Sequence, residues 1–207
     1  MKLFYCDTLA PRKVCAAARY LEAPVEYVYV DLQKGEQVLP SYLTLNPNGK
    51  VPVLAMDEKV VWEADAILCE LALATESELL PRSIDGQVEL IKWFSWNSQH
   101  FIRAGGALYF EHIIRPRFGM GQPDQAEVTD SLKNFRKYAR VLDDHLDGRR
   151  WLMGDRLSLA DFSVGICLPY AQEAQLPIDD FPNMKRWHDR LSELDGWTDP
   201  WPAKRAQ

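Results

Sequence analysis

Asn46-Pro-Asn-Gly-Lys-Val-Pro-Val-Leu54, a charged turn at Asp57 and Glu58, and then Val60-Val-Trp-Glu-Ala-Asp-Ala-Ile67 form the stretch on which the reading of this chain turns. Pro52 opens an apolar run where a strand would want a backbone N–H, so it belongs at a strand start, an edge or a special turn. A cis bond before Pro52 is the expected geometry. It would turn the N–H and C=O of the preceding residue outward, as a strand-like edge for an extended peptide. Glu63 and the amides after it are expected to open a helix, whose N-terminus suits a carboxylate. One segment would thus present two complementary halves of a peptide clamp.

Working outward, residues 2–6 read as a short strand, and Val14, Ala17, Ala18 and Leu21 recur at helical spacing after Pro11. Val25–Leu32 alternates and is rich in Val and Tyr, which reads as a second strand, and Gly35–Leu45 as a less regular helical or turn segment. Val53–Met56 and Lys59–Trp62 flank the charged turn as a hairpin, and Ala64–Ala74 continues as a helix. The order βαβαββα is that of an α/β thioredoxin-like domain, expected over residues 1–76. Thr75–Gly86 is polar, carries Pro81 and Gly86, and breaks the periodicity, so residues 77–86 read as a linker. From 87 to 207 the pattern is all-helical. Val88, Ile91 and Phe94 begin one helix, and Leu132, Phe135, Ala139, Leu142 and Leu146 mark another. Ser158-Leu-Ala-Asp161 has the form of a capping box with Asp in place of Glu, and Met184, Trp187, Leu191 and Leu194 form a last amphipathic helix after Pro182.

The 207 residues, 47% of them hydrophobic, can bury a core without staples. The net charge of −6 is spread along the chain with no Lys/Arg block, which argues against a nucleic-acid partner. No apolar run approaches the roughly 20 residues of a membrane span. Cys6, Cys15, Cys69 and Cys167 lack C-x-x-C or metal-ligand spacing, and the chain opens on a strand-like Met-Lys-Leu-Phe-Tyr, so a reduced cytoplasmic setting and no metal are expected.

The ordered motifs resemble those of the cytosolic glutathione S-transferase superfamily. Asn46-Pro-Asn-Gly-Lys-Val-Pro52 is similar to the loop that leads to its cis-proline, and Glu63-Ala-Asp-Ala-Ile67 to its Glu-Ser-x-Ala-Ile segment. Ser158-Leu-Ala-Asp161 is similar to the capping box of its helical domain, and Phe181-Pro-Asn-Met-Lys-Arg-Trp187 to its late helix. The resemblance covers essentially the whole chain. It implies glutathione as co-substrate, extended across the first domain with its cysteinyl backbone paired to Val51 beside Pro52. It also implies the γ-glutamyl carboxylate at the Ala64 amide, the ammonium near Glu63, and Lys50 and Gln37 at the glycyl end and backbone. A homodimer and a small apolar electrophile are implied as well.

A thiol with a pKa near 8.5 is only a few per cent thiolate at neutral pH, so a conjugating enzyme must stabilise the anion. The resemblance places that donor six residues before Val14, at Thr8, whose hydroxyl can donate to sulfur with help from the amides of the next helix. The family has Ser or Cys there, so the β-methyl of Thr8 is a departure that restricts the rotamer. Ala64 in place of Ser is a second departure and removes one hydroxyl contact to the carboxylate. Cys6 is a rival nucleophile, through a mixed disulfide, but its place within a strand reads as a small buried hydrophobe. Cys15, Cys69 and Cys167 sit in helical patterns and read the same way.

His100, in a cluster with Trp93, Trp96 and Phe101, matches a histidine near the sulfur in bacterial relatives, although aromatics at helical spacing are usually core. Tyr109, Phe110 and His112 fit either an electrophile pocket or helix packing; Arg115-Pro-Arg-Phe-Gly119 reads as a helix end with a solvated basic patch. Asp65 reads as a helix-dipole partner and Asp161 as a structural cap. Three functions are therefore in view: a glutathione transferase acting on an apolar electrophile or peroxide, a non-catalytic ligand- or protein-binding relative, and a glutathione-dependent thiol reductase using Cys6.

Overall fold

Two runs rich in aromatic and branched residues, Lys2–Tyr5 (β1) and Glu26–Tyr29 (β2), pair in parallel, as they must when a helix, α1 (Leu9–Tyr20), carries the chain between them. The tight turn after Val53–Ala55 (β3) allows Val60–Trp62 (β4) to fold back antiparallel, and β3 lies antiparallel to β1. The computed structural model describes residues 1–202 and shows a four-stranded sheet in the order β2-β1-β3-β4. Leu3 and Leu54 face each other across β1 and β3, and both are fully buried. Between β2 and β3 the chain makes a tight turn at Glu36–Val38 and one helical turn, α2 (Pro40–Leu43), whose Tyr42 packs with Val30 and Val53. Helix α3 (Ala64–Ala74) closes the unit by packing on α1.

The described residues divide into two compact units, Met1–Leu80 with residues 194–202, and Pro81–Glu193. That division differs from a helical region running unbroken from 87 to 207. The last helix, α9 (Pro182–Leu191), stops before Leu194, and Gly196, at φ +77°, turns the chain back to α1. There the Trp197 side chain, 1% exposed, lies under the Arg12 guanidinium at 5.2 Å, and Arg12 donates to the Trp197 carbonyl. Arg19 donates to the carbonyls of Asp199 (2.6 Å) and Trp201 (3.1 Å), and Trp201 stacks on Tyr5 with centroids 6.0 Å apart. Apolar burial and two arginines, not helical periodicity, decide where this segment belongs.

In the second unit α4 (Ile84–Trp96) begins inside the stretch read as a linker, because Ser83 caps it by accepting from the Gly86 amide at 3.1 Å. Wide turns at Asn97–Phe101 and Phe110–Ile114 join α4 to α5 (Ile102–Tyr109) and to α6 (Arg115–Arg117). The long α7 (Gln125–His145), α8 (Leu159–Val164) and α9 complete it around Phe101, Leu108, Phe135, Leu142, Phe162 and Trp187. Gly105 lets α5 approach closely, since a Cβ there would meet Cys167 Sγ at 2.8 Å. Asp161 is fully buried and accepts from the Leu152 and Ser158 amides and the Ser158 hydroxyl at 2.9 Å each, and from the Trp187 indole at 2.8 Å. Asp143 of α7 accepts from the Asn183 and Met184 amides, at 2.7 and 2.9 Å, and so caps α9 in place of Phe181. Among the described residues no helix is long and apolar enough to cross a membrane, and no cluster of His, Cys, Asp and Glu could hold a metal.

Candidate functional site

Strand register brings the singled-out residues of the first unit to one end of its sheet. Phe4 pairs with Val53 and Val53 with Trp62. Continuing each ladder by a residue or two sets the end of β1, the Val51–Pro52 turn and the Glu63–Ala64 junction side by side. Three chain segments thus converge there: β1 running toward Thr8, the loop entering β3, and the start of α3.

The Val51–Pro52 bond is cis. Among the described residues, neither the N–H nor the C=O of Val51 enters a hydrogen bond, so a strand-like pair of groups remains for an added peptide. The loop before it is held from within. The Lys50 carbonyl accepts from the Tyr42 hydroxyl at 2.8 Å and from Asn46 Nδ2 at 2.7 Å. Asn46, 3% exposed, also accepts from the Asn48 amide at 3.0 Å, closing the Asn-Pro-Asn-Gly turn. Burial pushes the Tyr42 hydroxyl pKa up, which keeps it a donor at neutral pH. The Lys50 side chain is exposed. Gln37 lies against this loop, its carbonyl 3.3 Å from where a Cβ on Gly49 would stand, and its buried Oε1 has no hydrogen-bond partner among the described residues.

Glu63 precedes α3 with φ 71° and ψ 118°, a conformation that suits glycine and costs a residue with a Cβ about 1–3 kcal/mol. Its carboxylate is exposed and does not cap the helix, so the Glu63 side chain occupies none of the amides at the start of α3. Ala64 is buried at the first helical position. Asp65 faces inward and meets Lys13 Nζ at 2.5 Å, an ion pair that ties the first turns of α3 and α1 together. A dipole role alone does not describe it.

Thr8 is the N-cap of α1, extended at φ −137° and ψ 171°, yet its hydroxyl caps nothing. Part of the reason is local: an N-cap oxygen accepts from the second or third helical amide, and the third helical residue is Pro11, which has none, so only the Ala10 amide could serve. Thr8 Oγ1 instead lies 3.2 Å from Cys6 Sγ. Cys6 itself is 2% exposed, and a thiol so covered offers little surface for exchange with a disulfide. Burial pushes the Cys15 thiol up strongly, Cys69 to about 11 and Cys167 to about 12, so these stay protonated at neutral pH.

His100 belongs to the helical unit, where its ring stacks on Tyr138 with centroids 5.0 Å apart; Trp96 stacks on Phe101 at 5.6 Å and Tyr109 packs on Tyr170 at 5.0 Å. Arg115 is not merely solvated, because its guanidinium holds Glu111 through two hydrogen bonds of 2.7 and 3.0 Å. Tyr42, Asn46 and Lys13 are the supports that sequence reasoning missed. Asn46 carried a signal in its Asn-Pro-Asn-Gly turn, whereas the Lys13–Asp65 pair spans 52 positions and carried none.

Comparison with known proteins bears on the whole chain. The model of the glutathione S-transferase N-terminal domain matches residues 3–71 and that of the C-terminal domain residues 100–195. A probable glutathione S-transferase of Oryza sativa subsp. japonica is 31% identical, over 96% of this chain and 90% of its own length. One from Hypomyces subiculosus is 30% identical over 93% and 94% of the two chains. Among solved structures, a glutathione transferase from Populus trichocarpa shares the fold at a TM-score of 0.88, with 23% identity and 96% of each chain covered. One from Burkholderia graminis, described with two glutathione molecules bound per subunit, has a TM-score of 0.82 at 25% identity, over 96% of this chain and 86% of its own. With both domain models matched in order on a chain whose sheet end, cis bond and open helix start are those just described, this protein belongs to the glutathione S-transferase family.

Proposed function

We propose that the protein is a glutathione transferase whose tripeptide docks as an added strand along Val51 and whose thiol is activated by Thr8. The unpaired backbone groups of Val51 carry this reading, because a strand edge of one residue beside an open helix N-terminus fits a short peptide with a free carboxylate. In this reading the Ala64 amide takes the γ-glutamyl carboxylate and the exposed Glu63 the ammonium. Lys50 meets the glycyl carboxylate, and the buried Oε1 of Gln37 gains a backbone N–H of the peptide. Pro52 holds the turn.

The Thr8 hydroxyl, not spent on capping, donates to the sulfur and raises its thiolate fraction. The thiol proton leaves to solvent. A sulfur lone pair then forms a C–S bond with an apolar electrophile, whose leaving group departs with its electron pair, or attacks a peroxide oxygen, breaking the O–O bond to release an alcohol and leave a glutathione sulfenic acid that a second glutathione converts to the disulfide and water. We place the activity in the cytoplasm, where a reducing medium preserves the four cysteines as thiols. We assign a homodimer as the working form, supported by the exposed stripe of Ile84, Val88 and Ile91 on α4, at 79%, 60% and 60%.

Turnover of a chlorodinitrobenzene-type substrate or an organic peroxide with glutathione tests the reading. A hydrogen bond to an anion contributes about 1.5–3 kcal/mol, so Thr8→Ala should lower kcat/KM at neutral pH by about 10- to 100-fold. An unchanged rate in that variant would remove the mechanism.

A further inference from the structure

We infer that Cys6 is a positioning residue for the glutathione thiolate: its S–H donates to Thr8 Oγ1 and thereby aims the Thr8 hydroxyl proton at the bound sulfur. The inference rests on the reading of Thr8 as the thiol activator and adds the group behind it. Two observations meet here. Cys6 Sγ lies 3.2 Å from Thr8 Oγ1, and the Thr8 hydroxyl, with the third helical amide absent at Pro11, makes no capping bond.

A hydroxyl has one proton. Without glutathione either atom of the Cys6–Thr8 pair can be the donor. Once Thr8 gives its proton to the thiolate, its oxygen can only accept from Cys6, and a thiol supplies the weak donor required. The two bonds also reinforce each other, since an oxygen whose proton is drawn toward an anion becomes a better donor when it accepts in turn. Thr8's β-methyl restricts its rotamer, so the Cys6 contact also selects the orientation in which Oγ1 faces the strand end. Cys6 forms no bond with substrate. At 2% exposure it is covered from solvent and reaches the bound sulfur only by way of the Thr8 hydroxyl.

The test is the pH profile of kcat/KM, together with the ultraviolet absorbance of bound thiolate against pH, for the parent, Cys6→Ala, Cys6→Ser, Cys6→Val and Thr8→Ala. Removing the donor should raise the apparent pKa of bound glutathione by about half a unit and lower kcat/KM about threefold below that pKa. The loss should vanish above it, and Cys6→Ser should restore the parent profile. Cys6→Val keeps apolar bulk and deletes the donor, so it serves if Cys6→Ala does not fold. A merely structural role would depress the rate at all pH values without moving the pKa. Profiles of Cys6→Ala or Cys6→Val that superimpose on the parent, or a Cys6→Ser loss equal to that of Cys6→Ala, would overturn the relay. If Thr8→Ala shifts the profile while the Cys6 variants do not, only the relay fails; if Thr8→Ala changes nothing, the activator reading beneath it fails.

Discussion

Glu63, proposed to meet the ammonium of glutathione, occupies a backbone conformation that works against stability. A glutamate at φ 71° sits where glycine would be relaxed, and its carboxylate makes no cap bond that would offset the strain. Glu63→Gly should therefore raise the chemical-denaturation midpoint modestly while weakening glutathione binding in calorimetry, two effects of opposite sign. A loss of stability would show that the carboxylate supports the fold. Ala64 tests the same helix start from the other side. On the proposed docking, Ala64→Ser adds one hydroxyl beside the γ-glutamyl carboxylate, and a charge-assisted bond there should tighten glutathione by about tenfold in calorimetric titration. Both residues are legible as a pair in Trp62-Glu-Ala-Asp65, because charge beside a helix start is a local signal. The left-handed backbone of Glu63 is not, since nothing in its side chain asks for it.

At the scale of elements, the end of α7 supplies a pH-sensitive joint. His145, half-buried, lies against Trp93 at 4.6 Å and donates from Nε2 to the Leu152 carbonyl at 2.8 Å. Burial is the main cause that holds its pKa below the usual 6.5, so the folded protein keeps the ring neutral where the unfolded chain would protonate it. The stabilising contribution is complete above about pH 6.5 and is lost as pH falls from there toward the lowered folded value. Urea midpoints measured across that window should decline with falling pH, and His145→Gln should flatten the decline. An equal slope in the variant would assign the effect elsewhere. Element boundaries are legible where a cap or a turn announces them, as in the β3–β4 hairpin and at the Ser158 cap. They are less so where the stop is tertiary: α9 ends before Leu194 although the apolar spacing continues.

For the molecule as a whole, the formal charge of −6 leaves an acidic surface without a basic field, and the exposed Ile84–Val88–Ile91 stripe is its conspicuous apolar feature on α4. Light scattering after size exclusion should give twice the 23.8 kDa chain mass, and Val88→Asp should shift the population toward that single mass. A parent protein that already elutes as one chain would remove the dimer assignment. The amino-acid sequence by itself determined the βαβαββα order, the helical nature of the second unit, the proline turn and the charged residue before the third helix, because periodicity, turn chemistry and capping act over a few neighbouring positions. Only the tertiary structure decided that Tyr42 and Asn46 hold the Lys50 carbonyl, that Lys13 engages Asp65, that Cys6 stands behind Thr8, and that the segment after α9 returns to α1. Those choices depend on burial and on charges meeting across tens of residues, a free energy that no local pattern encodes.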